Sequence, residues 1–455
     1  MPTLTFRSRI QAPAEQVFTW HERPGAYERI TPPWADIELK KFEGIREGDR
    51  AVLRVPLGPM HVKWVAEHQE YEEGRQFTDV QVKGPFSRWE HVHRVEPDGP
   101  DACYLIDEID FDVPLGKIGE GLTEHRARHR LERRFAFRHR VMQHDLEVHC
   151  KYSRRPLRVA VSGSHGLIGS HLVDFLTSGG HEVVRLVRSK PGAGEVYWNH
   201  REGEIEAEKL EGMDAVVHLA GENIFSLRWT DDKKMRIMQS RARGTRLIAE
   251  ALAKLKNPPA VLLSASAIGY YGDRGSEMLT ESSSPGDDMF LSLVAQEWEQ
   301  ASEPAAEGGI RVVNPRMAVV LSPAGGALEL MLPVFKMGLG GRVGTKHQFF
   351  SWIGLDDVLY ALYHCIWTDA VQGAANFSSP EPATMPSFTK TLAHVLSRPA
   401  FLNPPTPLVR LVSGEAAEEL ILPSARVLPQ KLLDTGYQFA YPALEDALRH
   451  QLGHP

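Results

Sequence analysis

The chain has 455 residues, 42% of them hydrophobic and 24% charged, which is the balance of an ordinary soluble globular protein with room for two or three domains. A formal charge of -7 argues against nucleic acid as the principal partner, and three scattered cysteines, Cys103, Cys150 and Cys365, form neither a disulfide framework nor a zinc-ligand pattern. No apolar run reaches the length of a membrane span and the first residues lack a signal-peptide core, so the expected location is a reducing cytoplasm.

Residues 1–150 read as an α+β module. Short alternating runs such as His61 to His68 and Trp89 to Val95 are broken by Gly-Pro and Pro-Asp-Gly turns, and a helix start is expected at Ala12-Pro-Ala-Glu-Gln-Val-Phe. The module closes with a long helix, in which Leu131, Phe135, Arg138, Met142 and Leu146 fall near one face. A sheet wrapped around such a helix commonly leaves an apolar pocket. The basic run from Arg126 to Arg140 is expected to be a solvated helix face. Ten of the 20 histidines lie in this stretch, including His125 with His129 and His91 with His93. No carboxylate or cysteine completes them in an obvious motif, so no metal is expected and surface or pocket-lining roles are.

In its order of elements, its segment I-Q-A-P-A-E-Q-V-F and its closing helix, the module resembles the START-like helix-grip superfamily (SRPBCC, polyketide cyclase/dehydrase-like). That resemblance implies an apolar small-molecule ligand. Residues 151–156, K-Y-S-R-R-P, then read as a polar linker.

From Leu157 strands and helices alternate: Val159–Ser162, helix, Glu182–Val187, Ala215–Leu219, helix, Val261–Ser264, helix, Arg311–Val320. This order predicts an α/β fold with a parallel, doubly wound sheet and right-handed crossovers. The first strand–helix junction, V-S-G-S-H-G-L-I-G, is a dinucleotide-binding turn. Gly163 turns tightly out of the strand, Gly166 admits a pyrophosphate to the backbone, and Gly169 lets the helix pack close; Ser164, His165, Leu167 and Ile168 complete the turn, whose amides face the anion. After about Pro323 the periodicity weakens, and the Pro-rich stretch Pro399–Pro407 precedes a final helical piece ending at Leu452.

The second strand ends at Val187-Arg188, where the adenosine ribose of a dinucleotide would lie. A guanidinium there forks onto a 2′-phosphate, which favours NADP(H) over NAD(H). The third strand brings out Leu219, Ala220 and Gly221 at the carboxyl edge, where ligands bind in open α/β sheets. After the fourth, Ser264, Ser266, Tyr270 and Tyr271 would open near a nicotinamide, although serine and tyrosine at a strand end also serve as turn residues. Arg241, opening a helix, has the charge to offset a pyrophosphate.

These runs resemble the extended short-chain dehydrogenase/reductases, and within them an atypical "epimerase family" branch. The residues that carry the narrower match are L-A-G-E-N at 219–223, R-W-T at 228–230, S-R-A-R-G-T at 240–245, S-A-S-A-I-G-Y-Y-G-D-R-G at 264–275 and S-P-G-D-D at 284–288. It continues through W-E at 298–299, V-L-S-P-x-G-G-A-L at 320–328, G-L-G-G at 338–341, S-W-I-G-L-D-D at 351–357 and A-E-E-L at 417–420. The resemblance implies a nucleotide-binding domain over 157–400, a small C-terminal domain over 401–455, and cofactor contacts by the glycine turn, Val187, Arg188, Leu219, Ala220, Arg241 and the strand end near Val320. Ser266 aligns with the superfamily's catalytic serine.

Reductases of this superfamily pair a tyrosine with a lysine four residues on, because a phenol with a pKa of about 10 is otherwise a poor base. Aligning Glu299 puts Leu291 and Ala295 at those two positions, so the usual proton relay is absent. Tyr270 with Arg274 mimics the spacing from another element, and Tyr270, Tyr271 or Glu222 are the candidate substitute acids. Gly354 stands where the branch usually has histidine. Two functions follow: an NADP(H)-dependent oxidoreductase or epimerase acting on a small molecule, or a regulatory protein that senses NADPH without turning it over.

Overall fold

The computed structural model describes residues 3–113, 122–152, 154–225, 229–286 and 289–454. The chain divides into two compact units, one comprising Met1–Arg154 with Asp174–Gly180, the other Arg155–Val173 with His181–His454. Among the described residues no helix is long and apolar enough to cross a membrane.

The first unit contains seven antiparallel strands: β1 (Thr3–Ile10), β2 (Glu38–Phe42), β3 (Arg50–Leu57), β4 (Met60–Glu72), β5 (Gln76–Lys83), β6 (Arg88–Pro97) and β7 (Cys103–Asp112). They stand in the order β1-β7-β6-β5-β4-β3-β2, with helices α1 (Ala14–Glu22) and α2 (Ala26–Ile30) between β1 and β2 and the long α3 (Leu122–Tyr152) after β7. Alternation decides which side chains turn inward: along β6, Trp89, His91, His93 and Val95 are buried and their neighbours are not. Leu131, Phe135, Met142 and Leu146 of α3 are buried against this face, the first two with Trp64, Trp89 and Phe111, the others with Phe18, Trp20 and Leu105. Burying each such side chain contributes about 1.5–3 kcal/mol.

The arginine run departs from the expected solvated face. Arg126, Arg130 and Arg140 are exposed, whereas Arg134 and Arg138 are half-buried and line a cavity between sheet and helix. The helical repeat puts these two, four residues apart, beside the apolar stripe, and burial pushes the Arg134 guanidinium down to about 10.

The second unit is built on a nine-stranded sheet. Its elements begin with β8 (Arg158–Ser162), α4 (Leu167–Ser178), β9 (Glu182–Val187), β10 (Glu195–Asn199), β11 (Glu204–Ile205), β12 (Ala215–His218), α5 (Asp231–Ala253), β13 (Val261–Ser264), β14 (Ser266–Ala267) and α6 (Phe290–Gln300). Across the sheet the strands run β11-β10-β9-β8-β12-β13, then Arg311–Met317, which pairs also with β14 and with Gly373–Phe377. All of these pairs are parallel except β10–β11. The chain order reverses between β8 and β12, so a crevice opens at the carboxyl ends of these two strands.

The expected strand Arg311–Val320 is divided. It leaves the main sheet after Met317, Ala318 donates its N–H to the Phe377 carbonyl, and Val319–Leu321 pairs instead with Trp352–Gly354. The last helix, Leu444–Leu452, is too short to hold a core of its own; its Ala447, Leu448 and Leu452 share one with Leu328, Leu332, Trp352, Phe388 and Leu392.

Candidate functional site

The turn after β8 closes on itself through backbone. Gly163 has φ +70, a conformation that side chains disfavour, and a Cβ there would stand 2.9 Å from the Ala220 nitrogen. A Cβ on Gly169 would fall 2.2 Å from the Gly163 carbonyl oxygen, and one on Gly166 at 3.2 Å from the same atom. Gly166 donates its N–H to that oxygen at 2.9 Å, and α4 begins at the next residue with its first amides unpaired within the helix. Ser164 is buried, while His165 and Gly166 are exposed and Leu167 and Ile168 half-buried. Opposite this helix start, the Leu167 side chain lies where Cβ atoms on Gly325 and Gly326 would touch it, and Val320 sits just before them in the strand Val319–Leu321.

The neighbouring strand ends shape the rest of the crevice. Ser162 holds β8 to β12: its hydroxyl contacts His218 Nδ1 at 2.5 Å and accepts the Leu219 N–H at 3.2 Å. Leu219 and Ala220 are half-buried and Gly221 is exposed. Arg241 lies across Gly221, where a Cβ would come within 3.3 Å of its guanidinium carbon, and donates to the Glu222 carbonyl at 3.1 Å. It also covers the Trp298 ring at 4.9 Å, and burial pushes its guanidinium down to about 10. Ser264 is fully buried, 3.5 Å from the Thr245 hydroxyl.

At the end of β9, Val187 is buried and Arg188 exposed. Burial first, and then Arg188, Arg201 and Arg243, hold His200 below its ordinary value. All three guanidinium groups are exposed and lie within electrostatic reach of this imidazole. Guanidinium groups on this side of the crevice can take a phosphate that main-chain amides alone would hold less well. The sequence reading missed Arg243 and His200; the S-R-A-R-G-T run contained the first, at a helix position whose neighbours only the fold reveals.

The residues expected near the reacting end are engaged with the protein. Ser266 donates its hydroxyl to Glu299 Oε1 at 2.7 Å, and Glu299 is clamped by Arg316 through two bonds of 2.8 Å. Arg316 also donates to the Tyr271 hydroxyl at 2.9 Å, which lies 2.7 Å from Asn376 Oδ1 and 3.0 Å from the Thr280 carbonyl oxygen. Tyr271 is fully buried, burial holds its phenol above the ordinary value, and its ring belongs to a core with Leu279 and Val427. These contacts correct the expectation that its hydroxyl opens toward a ligand. Tyr270 is half-buried with its ring 3.4 Å under the Arg316 guanidinium. Glu222 is ion-paired to Lys233 at 2.8 Å and that bond holds its carboxyl below the usual range, which suits a carboxylate and not an acid.

Helix α6 carries Leu291 and Ala295 where a tyrosine–lysine pair would stand; Ala295 is buried, and a Cβ on Gly269 would come 3.3 Å from Leu291 Cβ. Glu419, in the A-E-E-L run, accepts the N–H groups of Phe290 and Leu291 at 3.0 and 2.9 Å and so caps α6. Arg274 spends its guanidinium on Glu277 at 2.9 and 2.7 Å. Gly354 stands at the N-cap of the helix Leu355–Trp367. Arg228, Asp287 and Asp288 of the motif runs, and Ser153 of the expected linker, lie outside the described residues. The Glu299–Arg316 pair also escaped the sequence reading, although an arginine inside the apolar strand V-V-N-P-R-M was a signal, since a charge so placed is almost always paired.

A parallel sheet with a glycine turn at its switch point places the second unit among dinucleotide-binding α/β proteins. Residues 159–365 match the family model described as NAD dependent epimerase/dehydratase family, residues 10–136 that of polyketide cyclase / dehydrase and lipid transport, and residues 404–451 a domain of unknown function. An epimerase family protein of Mycobacterium bovis is 39% identical over 298 residues, 65% of this chain and 98% of its own length. Human epimerase family protein SDR39U1 is 37% identical over 64% of this chain and 99% of its own length. The chain belongs to this epimerase family, with a polyketide cyclase-like SRPBCC domain fused ahead of it. Among solved structures, a nucleoside-diphosphate sugar epimerase of Corynebacterium glutamicum aligns over 99% of this chain and 90% of its own, with TM-score 0.81 and 32% identity. The human SDR39U1 structure with NADPH covers 65% of this chain and 99% of its own, with TM-score 0.61 and 35% identity.

Proposed function

We propose that the second unit binds NADP(H) and that the protein is an NADP(H)-dependent oxidoreductase of the epimerase family acting on a small molecule. The observation that carries this reading is the turn at Gly163, Gly166 and Gly169, where backbone fills every space a side chain would need, together with the exposed Arg188 just past the end of β9. The human relative solved with NADPH supports the same coenzyme.

In this reading the first amides of α4 receive the diphosphate, and Arg241 offsets its charge from beyond Gly221. Arg188 and Arg243 hold the 2′-phosphate, while Leu219, Ala220 and Val320 line the path between and Ser264 lies buried behind it. The bound nicotinamide supplies or accepts a hydride. Ser266 orients a substrate carbonyl when its hydroxyl turns from Glu299 to donate to the carbonyl oxygen. The SRPBCC domain gathers the apolar small molecule and raises its local concentration. Titrating the purified protein with both coenzymes tests the first part: NADPH should bind at least ~10-fold tighter than NADH, about 1.4 kcal/mol. Equal affinities would remove the argument from Arg188.

A second reading, a nucleotide sensor without turnover, is favoured by one set of observations: Leu291 and Ala295 replace the proton relay, and the Ser266 and Tyr271 hydroxyls already have protein partners. A panel of carbonyl and enone substrates separates the two. An oxidoreductase consumes NADPH with at least one of them and slows on Ser266→Ala, whereas a sensor leaves the coenzyme unchanged throughout.

A further inference from the structure

The first unit buries a cluster that the crevice does not use. Antiparallel pairing sets Asp79 of β5 opposite His91 of β6 and His68 of β4, and sets His93 of β6 opposite Asp107 of β7. Directly opposed residues project to one face, so the pairing alone delivers five polar side chains to the cavity beneath α3. His91 and His93 are 1% and 4% exposed. His139 comes down from α3, its Nε2 2.6 Å from Asp107 Oδ2 and its Nδ1 2.8 Å from the Ser8 hydroxyl.

Asp107 fixes the two strand imidazoles from behind. Its Oδ1 lies 2.9 Å from His91 Nε2, a hydrogen bond, and 2.7 Å from His93 Nδ1, an ion-pair contact. The remaining nitrogens, His91 Nδ1 and His93 Nε2, converge on Asp79 Oδ2 at 3.6 and 3.3 Å, the second within hydrogen-bond reach. Two imidazole nitrogens converging on one carboxylate oxygen place a cation among them, either a proton or a metal ion. One carboxylate oxygen and one nitrogen from each ring stand within 4.8 Å of one another. Ligands at ~2.0–2.2 Å from a tetrahedral ion stand roughly 3.3–3.5 Å apart, so a small closure completes the set.

We propose that Asp79, His91 and His93 bind a divalent transition-metal ion such as zinc or ferrous iron. Asp107 is the positioning carboxylate, holding both imidazoles from their far nitrogens as second-sphere carboxylates do around metal-bound histidines. His68 Nε2 holds the other oxygen of Asp79 at 2.9 Å while its Nδ1 meets the Asp49 carbonyl at 3.1 Å, leaving Asp79 to bind through Oδ2. Three protein ligands leave positions open on the cavity side, which Trp20, His21, Arg134 and Arg138 also line. The ligand class that fits is a small molecule with a carbonyl or carboxylate oxygen, bound to the ion and faced by the two arginines.

The test is a titration of the full chain, stripped by chelator, with Co2+ and then Zn2+. One equivalent of Co2+ should give visible ligand-field bands that Zn2+ abolishes, and either ion should raise the melting temperature. His91→Asn and His93→Asn should each remove the bands, Asp107→Asn should weaken binding by about 10–100-fold, and His129→Asn, on the outer surface of α3, should bind as the parent does. Absence of bands and of any melting shift in the unmodified chain would overturn the site and leave a proton-filled network. So would a His91→Asn chain that binds Co2+ like the parent. The parent titration stands even if a variant fails to fold, and NADPH affinity of the second unit is read separately.

Discussion

In the second unit the crevice proposed to take the coenzyme is shaped mostly by backbone: the start of α4, the turn closed on the Gly163 carbonyl, the strand end Leu219 to Gly221. In the first unit the cavity is faced by side chains, with His91, His93 and Asp107 buried in contact with one another. A backbone site is fixed by what is missing, namely any atom beyond Cα, and each requirement is local in sequence. A side-chain site is fixed by cross-strand register, which joins residues separated by 12 to 14 positions: Asp79 to His91, and His93 to Asp107.

One place in the second unit follows the first unit's plan, and there the largest effect is expected. Arg316 and Glu299 are 4% and 16% exposed in their side chains and bonded bidentately. Removing one partner of such a pair leaves an uncompensated charge and costs about 3–5 kcal/mol. Glu299→Gln should lower the urea unfolding free energy by that amount while Ser266→Ala, which removes only one donor to Glu299, costs about 1 kcal/mol. Equal losses would mean that the pair is solvated and that the contrast between the two regions is overstated.

Next in size is a steric test of the crevice. Gly169→Ala sets a methyl group 2.2 Å from the Gly163 oxygen, so the turn must move. NADPH affinity should fall by roughly 100-fold, about 2.7 kcal/mol, as read by calorimetry, while Co2+ uptake by the first unit is unchanged. Normal NADPH binding in this variant would mean that the turn is not what holds the coenzyme.

The same division explains what the sequence discloses. The glycine spacing at 163, 166 and 169, the apolar strands and the strand–helix alternation are local, and β8, β9 and β13 stand within a residue of where the pattern puts them. The alternation of His91 and His93, which left surface and pocket-lining roles equally open, was visible too. Their carboxylates were not, because Asp79 and Asp107 become neighbours only once β5, β6 and β7 are in register. Tyr271 was misjudged for the same reason: its partners Asn376 and Arg316 come from strands 105 and 45 residues away.

A smaller effect concerns pH. His218 is fully buried against Trp198, and burial pushes its imidazole down to about 3. It is neutral in the folded chain and takes up a proton on unfolding below pH ~6.5, so its contribution is complete above that pH and is lost as pH falls toward 3. The unfolding free energy should decline by up to ~1.4 kcal/mol per pH unit from this group, and His218→Gln should flatten the slope between pH ~6.5 and ~5 by about one proton. An unchanged slope would place the titration elsewhere.

The finest test asks whether side chains add anything to the backbone site. Arg188 and Arg243 are exposed, so each is worth no more than a partly solvated charge-assisted bond, about 1.4 kcal/mol or tenfold in affinity. Arg188→Ala and Arg243→Ala should each weaken NADPH by up to ~10-fold and leave NADH nearly untouched, since only the former carries the 2′-phosphate. The double variant should bring the two coenzymes to similar affinity, and raising salt should do part of the same in the parent. If both coenzymes weaken together, the arginines act on the shared diphosphate or on the fold of β9, and the preference for NADPH must come from the shape of the crevice wall.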